Sequence, residues 1–224
     1  MKRLTIITAA GSGERMQSTL PKQFLVLAGV PVLMHTIRKF EGIADEIIVT
    51  LPESYIGYWQ KLCAEYDFHV SHTTVPGGKT RFDSIKNALQ KINADDALVA
   101  VHDGVRPIVS EELIKNIFTR AENNGNAVPF LALTESIRKI EGEKNSYADR
   151  KSFVSIQTPQ CFQLSSLKKA YAQEFSQEFT DDATAVEAAT GEKIFLAEGE
   201  RQNIKITTEA DIDLCEMMIE KTKV

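Results

Sequence analysis

A chain of 224 residues with 43% hydrophobic content can bury the core of one large domain, or of a domain with a small appendage. Its formal net charge of −5 argues against a general nucleic-acid surface, so an anionic ligand would need basic residues gathered locally. No apolar run approaches ~18 residues, which argues against a membrane-spanning helix. Cys63, Cys161 and Cys215 are too few and too scattered for a disulfide framework or a zinc site, which suits a reducing cytoplasm.

The first apolar run, "RLTIITAA", superficially resembles the core of a signal peptide. It is short, and glycines and charges follow at once, so it reads as a first strand. It leads into "TAAGSGERM", Thr8 to Met16. A strand that enters a Gly-x-Gly turn usually meets a phosphate, in P-loop enzymes, dinucleotide binders or nucleotidyltransferases. A P-loop needs Gly-Lys-Ser/Thr at its end. Here Gly13 is followed by Glu14 and Arg15. A dinucleotide fold needs a third glycine, a helix opening on the phosphates and an acidic residue about twenty positions on. Position 16 is Met, Pro21 interrupts any helix, and Val32, Leu33 and Met34 stand where the acid belongs. What remains is a glycine loop carrying Arg15, then "PKQF" with Lys22. Glycines let backbone N–H groups approach phosphate oxygens, and the two cations add charge. Each cation alone reads as a solvated surface residue; their joint placement around the loop points to an anion.

Further along, "EIIVTL", "ALVAVHD", "AVPFLAL" and "KIFLAEG" are strand-like. Helical patterns separate them. "PVLMHTIRKF" offers Pro31 at a first helical position, "SYIGYWQKLCAEY" offers Ser54 as a cap, and "SEELIKNIFTRAE" offers Ser110. "RFDSIKNALQKI", "LSSLKKAYAQEF", "TDDATAVEAAT" and "TTEADIDLCEMMIEKTK" are also helical in pattern. The alternation predicts an α/β fold with a largely parallel, doubly wound sheet and helices on both faces. The stretch "ESIRKIEGEKNSYADRKSFVSIQTPQ" breaks the rhythm. Its short alternations around a polar centre predict a long hairpin standing off the domain, which needs something else to pack on. A second subunit is the simplest candidate; a plain surface loop is the alternative.

"AAGSGERM" with "LPKQFL" resembles the signature of sugar- and polyol-phosphate nucleotidyltransferases. "PGGKTRFDSIKNAL", "VAVHDGVRP", "QTPQCF", "FTDDATAVE" and "NIKITT", in that order, resemble the 2-C-methyl-D-erythritol 4-phosphate cytidylyltransferase family over nearly the whole chain. The resemblance implies a Rossmann-like α/β domain over residues 1–224, with a protruding β-arm at 136–156 that forms a homodimer. It implies transfer of CMP from CTP to 2-C-methyl-D-erythritol 4-phosphate, with release of pyrophosphate, in the non-mevalonate route to isoprenoid precursors. Mg²⁺ would be bound mainly through the CTP phosphates. No nucleic acid or membrane enters as a partner.

The nucleophile of such a reaction is a phosphate monoester whose second pKa is about 6, so it is largely ionised at neutral pH. No general base is required, and catalysis becomes positioning and charge neutralisation. By resemblance, Ala9, Ala10, Gly11, Ser12 and Gly13 hold CTP, and Arg15 and Lys22 stabilise charge at the α-phosphate. Gly77, Gly78, Arg81 and Ser84 surround the base and ribose. Asp103 lies near the ribose, the acceptor and Mg²⁺, and Arg106 holds either its own loop or the ligand. Ser136, Arg150 and Lys205 contact the acceptor. Ser136 stands where threonine is expected, and Arg150 reaches a neighbour's site. Lys205 sits in a strand-like alternation that also fits a solvent-facing residue. His35 and His69 lack partners at ligand spacing. His102 reads as a hydrogen-bonded core residue, Trp59 and Phe24 as packing, and Asp181 and Asp182 as helix N-terminal caps. Two other functions fit less of the pattern: a cytidylyltransferase for another polyol phosphate such as ribitol 5-phosphate, and a non-catalytic nucleotide-binding module.

Overall fold

A computed structural model of the chain describes residues 1–11 and 20–221. β1 (Lys2–Thr8) is the apolar run that precedes the glycine loop. Its side chains alternate between the two faces of the sheet. Leu4 and Ile6 join one core cluster and Ile7 joins the other. β6 (Ala97–Asp103) is buried along its whole length, as a strand with helices on both faces must be. Its Leu98 and Ala100 face one cluster, and Val99 and Val101 the other.

A minor hairpin, β2 (Val26–Leu27) and β3 (Val30–Pro31), precedes α1 (Val32–Arg38). Then come β4 (Glu46–Leu51), α2 (Ile56–Glu65), β5 (Thr73–Pro76) and α3 (Arg81–Leu89). After β6 follow α4 (Glu111–Asn124) and β7 (Asn126–Ala132). α1, α2 and α4 supply one cluster through Leu33, Trp59 and Phe118. α3 packs on the other face through Phe82 and Ile85. Phe24 lies against Trp59 with both side chains buried, in agreement with their reading as packing residues.

The arm consists of β8 (Ile137–Glu141) and β9 (Lys144–Ala148), an antiparallel pair separate from the main sheet. The chain returns through β10 (Val154–Ile156) and β11 (Gln160–Gln163), then α5 (Leu164–Ala172), α6 (Asp182–Thr190), β12 (Leu196–Glu198) and α7 (Glu209–Lys221). The main sheet runs β10-β7-β11-β6-β1-β4-β5, with β12 also on β7. From β6 to β5 it is parallel. β11 lies antiparallel between β6 and β7, so the sheet is mixed. From β1 the chain moves outward to β4 and β5, then returns to the opposite side of β1 as β6. The order reverses at the β1–β6 pair, and ligands of open α/β sheets bind beyond the carboxyl ends of strands at such a point. Thr8 and Asp103 are register partners there.

Four local expectations need correction. Pro31 is the N-cap of α1 rather than its first residue. Ser54 lies in a 3-10 turn, and α2 starts after Tyr55 with no side-chain cap. Asp181 caps α6 through Thr184, whereas Asp182 begins the helix and is fully buried. Lys205 lies on irregular backbone rather than a strand. The Ile206 N–H donates to the Val105 carbonyl at 2.9 Å and helps to tie that segment down. Its alternation is nonetheless real, because Ile204 and Ile206 pack on a third cluster with α7.

Candidate active site

The residues beyond β1 and β6 enclose a cavity of about 370 Å³. Ala9, Ala10 and Gly11 form one wall, and Gly78, Arg81 and Ser84 another. Lys22, Asp103 and Lys205 complete it. Ser12, Gly13 and Arg15 lie outside the described residues. Among described lining residues Asp103 is the only carboxylate, against Lys22, Lys79, Arg81 and Lys205. The cavity therefore selects anions although the chain as a whole is acidic.

Gln23 shapes the first wall. It is buried, and its amide donates to the carbonyls of Ala9 at 2.7 Å and Gly11 at 3.2 Å. The "PKQF" segment is thereby fixed to the end of β1. Lys22, beside it, donates through Nζ to the Ile206 carbonyl at 2.9 Å. The opposite wall is the start of α3, closed by a capping box. The Thr80 hydroxyl accepts from Asp83 N–H, and the Asp83 carboxylate accepts from Thr80 N–H. Ser84 Oγ accepts from Gly78 N–H at 3.0 Å and donates to the Thr80 carbonyl at 2.9 Å. Gly77 does not line the cavity; a Cβ on it would lie 2.2 Å from the Ala10 Cβ. This glycine lets the two walls touch.

Asp103 is the electrostatic centre. Its Oδ2 lies 3.0 Å from Lys205 Nζ and 3.1 Å from Arg106 Nε, and its Oδ1 lies 3.6 Å from Arg81 Nε. Burial alone would raise its pKa, but Arg81, Lys205 and Arg106 outweigh burial and hold it well below the usual carboxylate range. Arg106 directs its other contact to the Asn203 carbonyl at 2.8 Å and does not line the larger cavity. It braces Asp103 against segment 203–207. Thr158 closes the same network from β11's side. Its hydroxyl accepts from Asp103 N–H at 3.1 Å and meets His102 Nδ1 at 3.1 Å. His102 Nε2 faces the Arg106 carbonyl at 3.3 Å, so the neutral ring carries its proton on Nε2. Burial drives the His102 pKa down to about 3. This agrees with a hydrogen-bonded core histidine.

A second cavity, of about 260 Å³, opens on the other side of this centre. It shares Arg81, Asp103 and Lys205 with the first and adds Arg106, Thr158 and Asp181. The two cavities meet at one carboxylate and its cations. Ser136 and Arg150 are exposed and line neither cavity of their own chain. Arg150 donates to the Thr134 carbonyl at the base of the arm.

The sequence reading did not assign Gln23, Lys79, Thr158 or the ion pair of Asp182. Gln23 lies in the quoted "PKQF", Lys79 in "PGGKT" and Thr158 in "QTPQ", so the motifs contained them. Asp182 accepts both terminal nitrogens of Arg81 at 2.8 Å from 101 positions away, which no local pattern encodes.

A statistical description of the family named 2-C-methyl-D-erythritol 4-phosphate cytidylyltransferase matches residues 4–221. A protein of that name from Porphyromonas gingivalis is 46% identical over 218 residues, covering 97% of this chain and 98% of the relative. One from Bacteroides thetaiotaomicron is 45% identical, covering 96% and 98%. Among solved structures, the Thermus thermophilus enzyme of that name superposes with a TM-score of 0.79 at 32% identity, covering 98% of this chain and all of the other. The 4-diphosphocytidyl-2C-methyl-D-erythritol synthase of Anaerococcus prevotii gives 0.84 at 28% identity, covering 98% and 96%. With a site built from the same ordered motifs and relatives aligned end to end, the chain belongs to the 2-C-methyl-D-erythritol 4-phosphate cytidylyltransferase family.

Proposed function

We propose that the two cavities divide the substrates of the family's reaction between them. That reaction is transfer of CMP from CTP to 2-C-methyl-D-erythritol 4-phosphate, giving 4-diphosphocytidyl-2-C-methyl-D-erythritol and pyrophosphate. The larger cavity, walled by the loop after β1 and the start of α3, takes CTP. The smaller takes the polyol phosphate. The observation that carries this reading is the shared boundary: Arg81, Asp103 and Lys205 line both cavities. A phosphate in one and an α-phosphate in the other would meet there.

The acceptor oxygen is already anionic near neutral pH, so the site has to overcome repulsion rather than remove a proton. Lys205 neutralises charge at the junction and Lys22 within the larger cavity; the family resemblance adds Arg15 to them. Asp103 orients Lys205 and keeps it, Arg81 and Arg106 from repelling one another before substrate arrives. It stays ionised throughout because three cations surround it. Arg106 and Thr158 position it.

Among the described residues no group of three or more His, Cys, Asp and Glu side chains could hold a metal ion. Asp103, the one carboxylate among the described residues that line the larger cavity, is already shared by three cations. This donor set fits a Mg²⁺ carried in on the triphosphate, which would draw its ligands mainly from phosphate and water, with Asp103 the carboxylate of the larger cavity that could steady it. When bound, the metal neutralises the triphosphate and its pyrophosphate leaving group. No helix of the described residues is long and apolar enough to cross a membrane, which is compatible with a cytoplasmic enzyme.

The arm supports a homodimer. Ile140, Tyr147 and Phe153 are 76%, 78% and 52% exposed, an apolar load a free hairpin does not carry without a partner. Arg150 and Ser136 would then enter the partner's smaller cavity. The test is pyrophosphate release with CTP and each of two acceptors, 2-C-methyl-D-erythritol 4-phosphate and ribitol 5-phosphate, with and without chelator. Release should require CTP, the methylerythritol acceptor and free divalent metal together. Preference for ribitol 5-phosphate would reassign the smaller cavity. CTP binding without release from any acceptor would make this a nucleotide-binding module.

A further inference from the structure

Arg81 lines both cavities, yet its guanidinium fork is engaged by a carboxylate that lines neither. Nη1 and Nη2 donate to Oδ1 and Oδ2 of Asp182 at 2.8 Å each, leaving Nε to face Asp103 at 3.6 Å. Asp182 is fully buried. Its Oδ1 also accepts from the hydroxyl of Tyr171, itself buried on α5 with its ring 4.5 Å from that of Phe82. As the first residue of α6, Asp182 also sits where a helix favours negative charge. The chain of contacts runs from buried Tyr171 and Asp182 through partly exposed Arg81 to Asp103, and joins α5, α6 and α3 to the end of β6.

We infer that Asp182 is a positioning residue for the transfer: by holding the fork of Arg81 it makes that arginine present only its Nε edge to Asp103, and so leaves the Oδ2 side of Asp103 to Lys205 and Arg106. A free arginine fork would match a carboxylate in two-pronged fashion. With Asp182 neutralised, the fork of Arg81 turns to the nearest remaining carboxylate, Asp103, and displaces Lys205 from the junction. Burial opposes the charge on Arg81, and Asp182 more than compensates, so the guanidinium stays protonated. A buried ion pair is a weak source of stability in itself, so orientation is the better reason for its presence.

This inference rests on the cytidylyl-transfer reading, and the parent enzyme separates the two: an inactive parent fails that reading, whereas the comparison below tests only Asp182. Asp182→Asn, shown folded by circular dichroism, should lower kcat at least about tenfold with little change in the KM for CTP, since misplacement by ~1 Å can cost about a hundredfold. In an Arg81→Met background the same substitution should cost nothing further. An unchanged kcat, or an equal loss in both backgrounds, overturns the proposal, because Asp182 would then act without Arg81 or not at all. If Asp182→Asn does not fold, Tyr171→Phe, which keeps the ion pair, decides. A fall in kcat of roughly threefold at constant KM, absent from the Arg81→Met background, supports the chain, and no fall, or an equal fall in both backgrounds, overturns it.

Discussion

Lys22 and Arg106 are both cations of the site, but Lys22 lines the larger cavity and Arg106 only the smaller. Arg106 donates from Nε to Asp103 and from Nη1 to the Asn203 carbonyl, and so braces the site. Lys22 lines the larger cavity, and its Nζ bonds the Ile206 carbonyl at 2.9 Å, where it can exchange a neutral acceptor for phosphate oxygen. Lys22→Met, which keeps the aliphatic stem, should therefore lose mainly kcat, by about a hundredfold, the scale of removing one preorganised electrostatic donor. Steady-state kinetics over CTP checks this; a change in KM alone would make Lys22 a ground-state contact. His102 gives a pH prediction. Its folded pKa of about 3 lies below the ordinary 6.5, so the unfolded chain binds one more proton in that interval. The stability from the neutral buried ring is complete above 6.5 and is lost as pH falls towards 3. In His102→Gln the unfolding free energy should depend less steeply on pH between about 5.5 and 4, by ~1.4 kcal/mol per unit. Denaturant titrations at several pH values measure the slope, and an unchanged slope would mean that the ring is protonated in the fold.

At the scale of elements, the strands that flank the site were legible because they are continuous apolar runs, and α4 because Ser110 accepts from Leu113 N–H as its sequence suggested. β5, β10 and β11 were not. They are only four, three and four residues long, too short for a period to register, and pairing in the sheet rather than local preference makes them strands. Lys205 shows the converse: an alternation that mimicked a strand was produced by two isoleucines packing under α7. The glycine pair before α3, assigned by resemblance to the surroundings of the base and ribose, also makes room for the chain itself. Gly77→Ala would put its Cβ 2.2 Å from the Ala10 Cβ, and Gly78→Ala 2.2 Å from the Asp83 Cβ in the capping box. Each should cost ~1–3 kcal/mol through overpacking. Gly77→Ala should in addition weaken CTP binding, because Ala10 lines the cavity. Gly57 is the control: it lies in α2, and a Cβ there would meet nothing within 4 Å, so Gly57→Ala should raise stability by roughly 0.5–1 kcal/mol. Thermal unfolding and CTP titration of the three variants together distinguish a packing role from a general intolerance of alanine.

At the scale of the whole molecule, the arm poses the remaining question. It makes its own two-stranded sheet away from the main one, and Arg150 and Ser136 on it line neither cavity of their own chain. If two chains pair by a two-fold axis, each arm can deliver Arg150 to the other's smaller cavity, so each site would combine Lys22 from one chain with Arg150 from its partner. Homodimers of Lys22→Ala and of Arg150→Ala should then each be nearly inactive. A mixed dimer would have one site with both defects and one with neither, as two-fold symmetry requires. After subunit exchange of an equal mixture, roughly half the dimers would be mixed and roughly a quarter of wild-type sites restored. Were Arg150 to serve its own chain, every site would keep one defect and mixing would restore nothing. Activity measured before and after exchange, with exchange followed independently by mass spectrometry of tagged chains, separates the two arrangements. Recovery near a quarter requires a shared site, and absence of recovery in a fully exchanged sample rules it out.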